Sequence, residues 1–374
     1  MCPAHIVGWG KYVPERVVTN DELARTVDTT DEWIRTRTGI EERRIAGEGE
    51  TTSSMATQAA WRALEVAGLS PAQVDLIIVA TATPDYALPA TACLVQDSLG
   101  AGNAAAFDLS AGCTGFIYAL GVAVDMVAAR RGPRETPTAL VIGAETLSRF
   151  IDWDDRATCV LFGDGAGAVV VQANGLPGGV LSTFLGADGS GGDLLYVPAG
   201  GSQKPASHRT VSERLHYVRM RGREVFRFAA RAMPDAARRA LEQAGLAGAD
   251  VALVIPHQAN QRILEAAARM LDLPAEKIYS NLRRYGNTSA ASIPIAICEA
   301  VEEGLIQRDD LVVCVGFGAG LTWGATALRW SVPLPAAPPV WWERARYPIW
   351  QGYAAIRSLA RRLMWWLLGR SVKE

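Results

Sequence analysis

The chain has 374 residues, enough for one large α/β unit or two fused smaller ones. Hydrophobic residues make up 49% and charged residues 20%, an ordinary globular balance, and the net charge of -2 argues against a general nucleic-acid binder. Six cysteines without a CxxC pair suit a reducing compartment better than a disulfide scaffold, and neither a signal peptide nor a transmembrane helix is predicted.

In chain order, Ala63–Leu69 reads as a helix end capped by Gly68. Asp75 then precedes Leu76–Ala80, a run apolar on both faces and so predicted to be a buried parallel strand. Phe107-Asp-Leu leads through Ser110-Ala-Gly112 to Cys113 and an apolar helix over Phe116–Leu120, followed by strands at Ala139–Ile142 and Gly167–Val171. The series then returns. Ala240–Leu246 repeats the helix ending and Asp250 precedes the strand Val251–Ile255. Ile278-Tyr-Ser leads to Gly286-Asn287 and a helix over Ile293–Ile297, and strands follow at Leu311–Val315 and Gly324–Leu328. One such helix ending is common; the ordered series predicts a duplication. The expected architecture is two βα halves, residues 1–180 and 181–330, packed about a pseudo-twofold axis. Pro333–Pro339 reads as an extended linker to a Trp- and Arg-rich tail, so 331–374 form a third region.

Cys113 alone among the six cysteines combines a strand-to-helix turn with small neighbours. A helix N-terminus is expected to lower its pKa toward a reactive thiolate; the competing reading is a buried, inert cysteine. His257 ends the strand Val251–Pro256, at the edge where α/β sites gather, whereas His5, His208 and His216 are expected at the surface. Asn287 by spacing alone would be a helix cap. The duplication changes that reading, because Cys113 and Asn287 occupy equivalent loops and His257 leaves a neighbouring strand end. A thiol, an imidazole and an amide that converge suit acyl chemistry on thioesters. The segments GDGAG and GFGAG lack the Lys-Ser/Thr of a phosphate loop and are read as tight turns.

From about residue 4 to 330 the chain resembles β-ketoacyl-acyl carrier protein synthase III. The resemblance rests on Trp33–Ile40 (WIRTRTGI), Asp108–Phe116 (DLSAGCTGF), Phe162–Gly167 (FGDGAG), Pro256–Asn260 (PHQAN), Gly286–Ser292 (GNTSAAS) and Gly316–Gly320 (GFGAG). It implies a thiolase-like α/β fold, a buried site and a homodimer in the cytoplasm. It implies that Cys113 accepts an acyl group from acyl-CoA and that His257 and Asn287 promote decarboxylation of malonyl-acyl carrier protein. The product is a 3-oxoacyl thioester that starts fatty acid synthesis. Coenzyme A thioesters are substrates here, and no metal or other cofactor is expected. The resemblance assigns Trp33, Arg37 and Arg156 to the adenine and phosphate end of coenzyme A. It puts Asn260 and Arg262 near the pantetheine arm and the carrier-protein dock, and Phe317, Gly318, Ala319 and Gly320 in the substrate-contacting loop. Ala319, often glycine in relatives, is to supply an oxyanion N–H together with Cys113. Leu88 matches a position that reaches across the dimer toward the acyl pocket, often as an aromatic; leucine leaves room for an acyl chain longer or more branched than acetyl.

Three alternatives stand beside this reading. A papain-like protease shares the Cys, His, Asn order but would show a Gly-Ser-Cys-Trp type segment and disulfides, where this chain has Gly-Cys-Thr-Gly. A polyketide-type or specialised-metabolite ketosynthase would share the fold. A non-catalytic partner subunit recruited to membranes would need no intact Cys113, His257 and Asn287. The last concerns the tail: Ile356, Leu359, Leu363, Trp366 and Leu367 share one helical face and Arg357, Arg361 and Arg362 lie toward the other. Such a helix at residues 340–370 is expected to lie on a membrane surface, with self-packing and partner docking as rival readings.

Overall fold

A computed structural model describes residues 3–129, 136–332 and 340–371 of the protein. The first sheet contains β1 (Ala4–Tyr12), β2 (Leu76–Ala80), β3 (Ala105–Leu109), β4 (Thr138–Glu145) and β5 (Gly165–Ala173) in the order β1-β5-β4-β2-β3. The second contains β6 (Gly179–Ala187), β7 (Leu253–Pro256), β8 (Leu311–Gly318) and β9 (Thr322–Arg329) in the order β6-β9-β8-β7. The two orders correspond strand for strand. In the place of a fifth strand, the second sheet has a parallel bridge from Val254 to Ile278, the counterpart of β3 beside β2. In both sheets the paired central strands are parallel and the connection back to the N-terminal strand is antiparallel. The crossing from one sheet to the other falls at residues 174–178.

The helices make three layers around these sheets. On the outer face of the first sheet lie α2 (Thr52–Ala67) and α3 (Thr91–Leu99), while α1 (Asp31–Thr38) packs on the helix Gln261–Leu271 of the second half. Between the sheets lie α4 (Gly115–Ala129) and, in the second half, α7 (Ser292–Glu302); α5 (Gly222–Gln243) and α6 (Gln261–Leu271) cover the outer face of the second sheet. The central cluster joins both sheets through Phe116, Ile117 and Leu120 of α4 and Ile293 and Ile297 of α7, all nearly fully buried. Every residue of β2 and β4 is buried, because both faces of the sheet are covered; this is why those runs show no polar alternation. The ends of α2 follow from its sequence: Thr51 and Ser54 form a capping box, and Gly68 closes the helix in the left-handed region at φ 67. Of the described helices, only the segment Gly112–Ala129 is long and apolar enough to cross a membrane, and it is the buried core helix.

Two expectations are corrected here. His5 is fully buried in β1, with Nδ1 2.5 Å from the Ser331 hydroxyl and Nε2 3.0 Å from the Leu176 carbonyl. A strand at the chain start is covered because it is the edge onto which the end of the second half folds. The glycines of GDGAG and GFGAG are largely strand residues of β5 and β8 rather than turns. A side chain at Gly167 would sit 2.6 Å from the Ile295 nitrogen, so this glycine lets α7 lie directly on β5.

The tail forms α8 (Val340–Ser371), and it packs on α3. The linker 333–339 and the side chains of Trp341, Trp342, Arg344, Arg346, Trp365, Arg370 and Lys373 lie outside the described residues.

Candidate active site

Cys113 stands in a single 3-10 turn, Gly112–Thr114, that links the end of β3 to α4. It is 7% exposed and faces a largely apolar cavity of about 160 Å³, walled by Leu147, Phe150, Phe162, Leu195 and Val218 and by Ser289 and Ala319. The turn lies against the loop that ends β8. A Cβ on Gly318 would stand 2.5 Å from the Cys113 nitrogen, and one on Gly112, at φ 53, would stand 2.8 Å from the Ala319 nitrogen. Only glycine permits that approach, and it sets the amides of Cys113 and Ala319 in two touching backbones at the cavity wall. The Thr322 hydroxyl fastens the contact by donating to the Ala111 carbonyl at 2.8 Å.

Burial pushes the Cys113 thiol up to about 12; the hydrogen bond with Ser289 opposes the rise and the charge of Glu145 adds to it. This corrects the expectation of a thiolate favoured by the helix end. The loss of water around the sulfur outweighs the dipole, so the shift favours the thiol over the thiolate. Two residues that sequence reasoning missed surround it. Ser289, in the left-handed region at φ 48, donates from its hydroxyl to Glu145 at 2.9 Å. Glu145 is fully buried at the end of β4 and also accepts from the Thr83 and Thr81 hydroxyls and the Ala82 N–H. Burial raises its pKa while these donors oppose the rise.

His257 leaves the end of β7, where its N–H donates to the Val315 carbonyl at 2.8 Å. Its Nδ1 lies 2.7 Å from the Ser292 hydroxyl, and its ring meets Phe317 edge to face at 5.4 Å. Its Nε2 is buried without a hydrogen-bond partner among the described residues. Burial lowers the imidazole to about 3, so the ring is neutral at physiological pH. Asn287 is pinned by a two-bond bridge to the segment just before β5: its N–H donates to the Leu161 carbonyl at 2.8 Å and its carbonyl accepts from the Gly163 N–H at 3.0 Å. This is what the FGDGAG segment contributes to the site. The Asn287 side-chain oxygen accepts the Ser289 N–H at 2.8 Å, a local cap that leaves the amide NH2 as its available donor. Ser289 thus joins the Asn287 loop to Cys113, while Gly316 and Phe317 of β8 stand beside His257.

At the rim, the guanidinium of Arg37 lies 4.5 Å and that of Arg156 5.1 Å from the centre of the Trp33 ring. Arg156 also donates to the Asp28 carbonyl at 2.6 Å and its carboxylate at 3.2 Å. Asn260 caps α6 by accepting the Arg262 N–H, and it donates to the Arg37 carbonyl at 3.1 Å; Arg262 donates to the Thr36 carbonyl at 3.1 Å. The two bonds to the Arg37 and Thr36 carbonyls lock α1 to α6 and brace the Trp33 cluster. Phe317 is placed differently from the expectation: it is 3% exposed, does not line the cavity, and backs the His257 ring. Gly318 and Gly320 do not line the cavity either; Gly318 packs on the backbone of Cys113 and Thr114, and Gly320 on Thr322. Leu88 is 86% exposed.

A buried nucleophilic thiol, two backbone amides beside it, a neutral imidazole and a carboxamide, carried on duplicated βα halves, define a thiolase-like condensing enzyme. The chain belongs to the 3-oxoacyl-(acyl-carrier-protein) synthase III family: the family profile matches residues 107–189 and its C-terminal counterpart residues 241–330. It is 55% identical over 331 residues to beta-ketoacyl-(acyl-carrier-protein) synthase III of Caldanaerobacter subterraneus subsp. tengcongensis, covering 88% of this chain and 98% of the relative. The crystal structure of 3-oxoacyl-(acyl-carrier-protein) synthase III from Aquifex aeolicus VF5 is similar at TM-score 0.80 and 51% identity, over 87% of this chain and 100% of that one. The priming beta-ketosynthase of a polyketide biosynthetic pathway is similar at TM-score 0.81 and 38% identity, over 89% and 97%.

Proposed function

We propose that this chain transfers an acyl group from acyl-CoA to Cys113 and joins it to malonyl-acyl carrier protein with loss of CO2, the first condensation of fatty acid synthesis. The observation that carries this is the Cys113 cavity: a buried thiol faced by Ser289 of the Asn287 loop, with the neutral His257 beside β8. Cys113 sulfur attacks the thioester carbonyl as its proton leaves, and the N–H groups of Cys113 and Ala319 hold the oxyanion. Coenzyme A leaves as its thiol. Malonyl thioester then loses CO2, and its electron pair moves to the thioester oxygen, where Nε2 of His257 and the Asn287 amide donate hydrogen bonds. A neutral histidine suits that role, since the Ser292 hydroxyl can donate to Nδ1 and leave the proton on Nε2. The enolate carbon attacks the acyl carbonyl and the Cys113 thiolate leaves.

Trp33, Arg37 and Arg156 are assigned to the nucleotide end of coenzyme A, by stacking and by charge. The acidic carrier protein is assigned to the basic ridge of α5, where Arg227, Arg231 and Arg238 border a groove of about 730 Å³ with Phe228 and Trp323. The cavity of about 160 Å³ is close to the size that holds a benzene-sized group, which supports a short primer somewhat longer or more branched than acetyl. The exposed Leu88 and the open edge of β3 support a homodimer through that face. The five described cysteines are free thiols, in keeping with a cytoplasmic site of action.

The test is turnover of a panel of acyl-CoAs with malonyl-acyl carrier protein, followed by CO2 release and 3-oxoacyl product. Product with the carrier-protein substrate is expected. Product only from malonyl-CoA favours a polyketide-type ketosynthase, and no turnover by a folded protein overturns the enzyme reading.

A further inference from the structure

We infer that α8 seats the enzyme on the surface of a bilayer containing anionic lipids, with its outward apolar face in the acyl boundary. This goes beyond the condensation reading and does not depend on it. The C-terminal family profile ends at residue 330, so the tail lies outside the segment that defines the family.

The helix has two faces with different fates. One is spent on the enzyme. The Trp350 ring meets Trp61 of α2 at 5.4 Å, and Ala354 is buried against Gly100. Arg357 donates to the Gly100 carbonyl at 3.1 Å, and the Ser358 hydroxyl donates to Asp97 at 2.6 Å. Arg361 turns the same way, toward Gly102. This revises the sequence expectation, in which Arg357 and Arg361 would meet head groups. The helix is held flat on α3, and none of its contacts on the body lines the Cys113 cavity.

The other face is open. Ile349, Tyr353, Ile356, Leu359, Leu363 and Leu367 recur at helical spacing and are 54 to 71% exposed. They span about 27 Å along the axis. A soluble monomer rarely leaves so long an apolar stripe uncovered. Charge decides what covers it. Residues 331–374 carry seven Lys and Arg against two Asp and Glu, a net +5; the whole chain is -2, so residues 1–330 carry -7. Two of the seven, Arg357 and Arg361, face the body; the remaining five still outnumber the two carboxylates, so the attraction to an anionic surface is confined to the tail, which also holds five of the 11 tryptophans. An acidic protein partner would need the arginines outward, but Arg357 and Arg361 are committed to the body and the outward stripe is apolar. A fixed in-plane helix with an apolar outer face and a basic surplus matches a lipid interface.

The test compares the full chain with the variant Ile356→Asp, Leu359→Asp, Leu363→Asp, whose substitutions lie on the exposed face and leave the body contacts intact. Both are sedimented with phosphatidylcholine vesicles and with mixed phosphatidylcholine–phosphatidylglycerol vesicles at low and high salt, and both are assayed for condensation and sized by gel filtration. The full chain is expected to partition onto the mixed vesicles, less so at high salt, and the variant to partition at least about tenfold less with unchanged turnover. Equal partitioning of the two forms overturns the inference, as does failure of the full chain to pellet. Failure to pellet with a larger size that the variant loses would make the stripe a tail–tail interface instead, and loss of vesicle binding only where the variant is also unfolded is checked by its circular dichroism and turnover. A variant that folds, turns over and still pellets contradicts the inference outright.

Discussion

The loops at Cys113 and at Asn287–Ser289 occupy equivalent places in two halves with the same strand order, yet they carry different chemistry. Both lead from the strand-end side of a sheet into a helix of the central layer, α4 in one half and α7 in the other. In the first half the loop presents a thiol whose pKa burial has raised. In the second it presents a carboxamide whose oxygen is already spent on the Ser289 N–H. The fold brings both loops to one cavity, lined by Cys113 from the first and Ser289 from the second. The side chains break the symmetry, and in the proposed mechanism one loop accepts an acyl group while the other, with His257, handles the malonyl unit.

The largest effect that tests this division belongs to the first loop. Cys113→Ser should lower condensation by on the order of 10⁴-fold or more in steady-state turnover, since among the described residues no second thiol lines the cavity. His257→Ala and Asn287→Ala come next. Each should lower malonyl decarboxylation by about 10²- to 10³-fold while acyl transfer from acyl-CoA survives, as followed by CO2 release and coenzyme A release separately. Loss of both steps together would dissolve the division between loops. Arg37→Ala and Arg156→Ala should raise KM for acyl-CoA by about tenfold with kcat little changed, because they touch neither half's reacting atoms.

The smallest effect is an absence of titration. With the imidazole lowered to about 3, decarboxylation should stay level across the region near pH 6.5 where an ordinary histidine would step. The same depression makes folding sensitive to acid: the stability tied to His257 is complete above pH 6.5 and is lost as pH falls from there toward about 3, because the unfolded chain takes up the proton first. Denaturant melts at a series of pH values measure that loss, and His257→Gln should flatten it.

Much of this was legible in the sequence because duplication is a pattern, and patterns survive without coordinates. The repeated helix endings and apolar runs agree with the corresponding strand orders of the two sheets, and the repeat set Asn287 apart as a candidate beside Cys113. What stayed hidden depends on contacts remote in sequence. His5 reads as a surface residue until Ser331, 326 positions away, is seen to close over it. Glu145 is a lone carboxylate ending a buried strand; that oddity was the available signal, but its partners Thr83 and Ser289 come from two other loops. The raised pKa of Cys113 reflects burial, which a helix-end argument does not contain. For α8, periodicity separated apolar from basic positions correctly but could not say that the basic side holds the body.

The most direct measurement is the intact mass of three proteins after incubation with acyl-CoA alone: the unsubstituted chain, His257→Ala and Cys113→Ala. One acyl adduct is expected on the unsubstituted chain and on His257→Ala, and none on Cys113→Ala. An adduct that persists on Cys113→Ala, or one that is missing from a folded His257→Ala, would contradict the assignment of acyl acceptance to the first half and malonyl activation to the second.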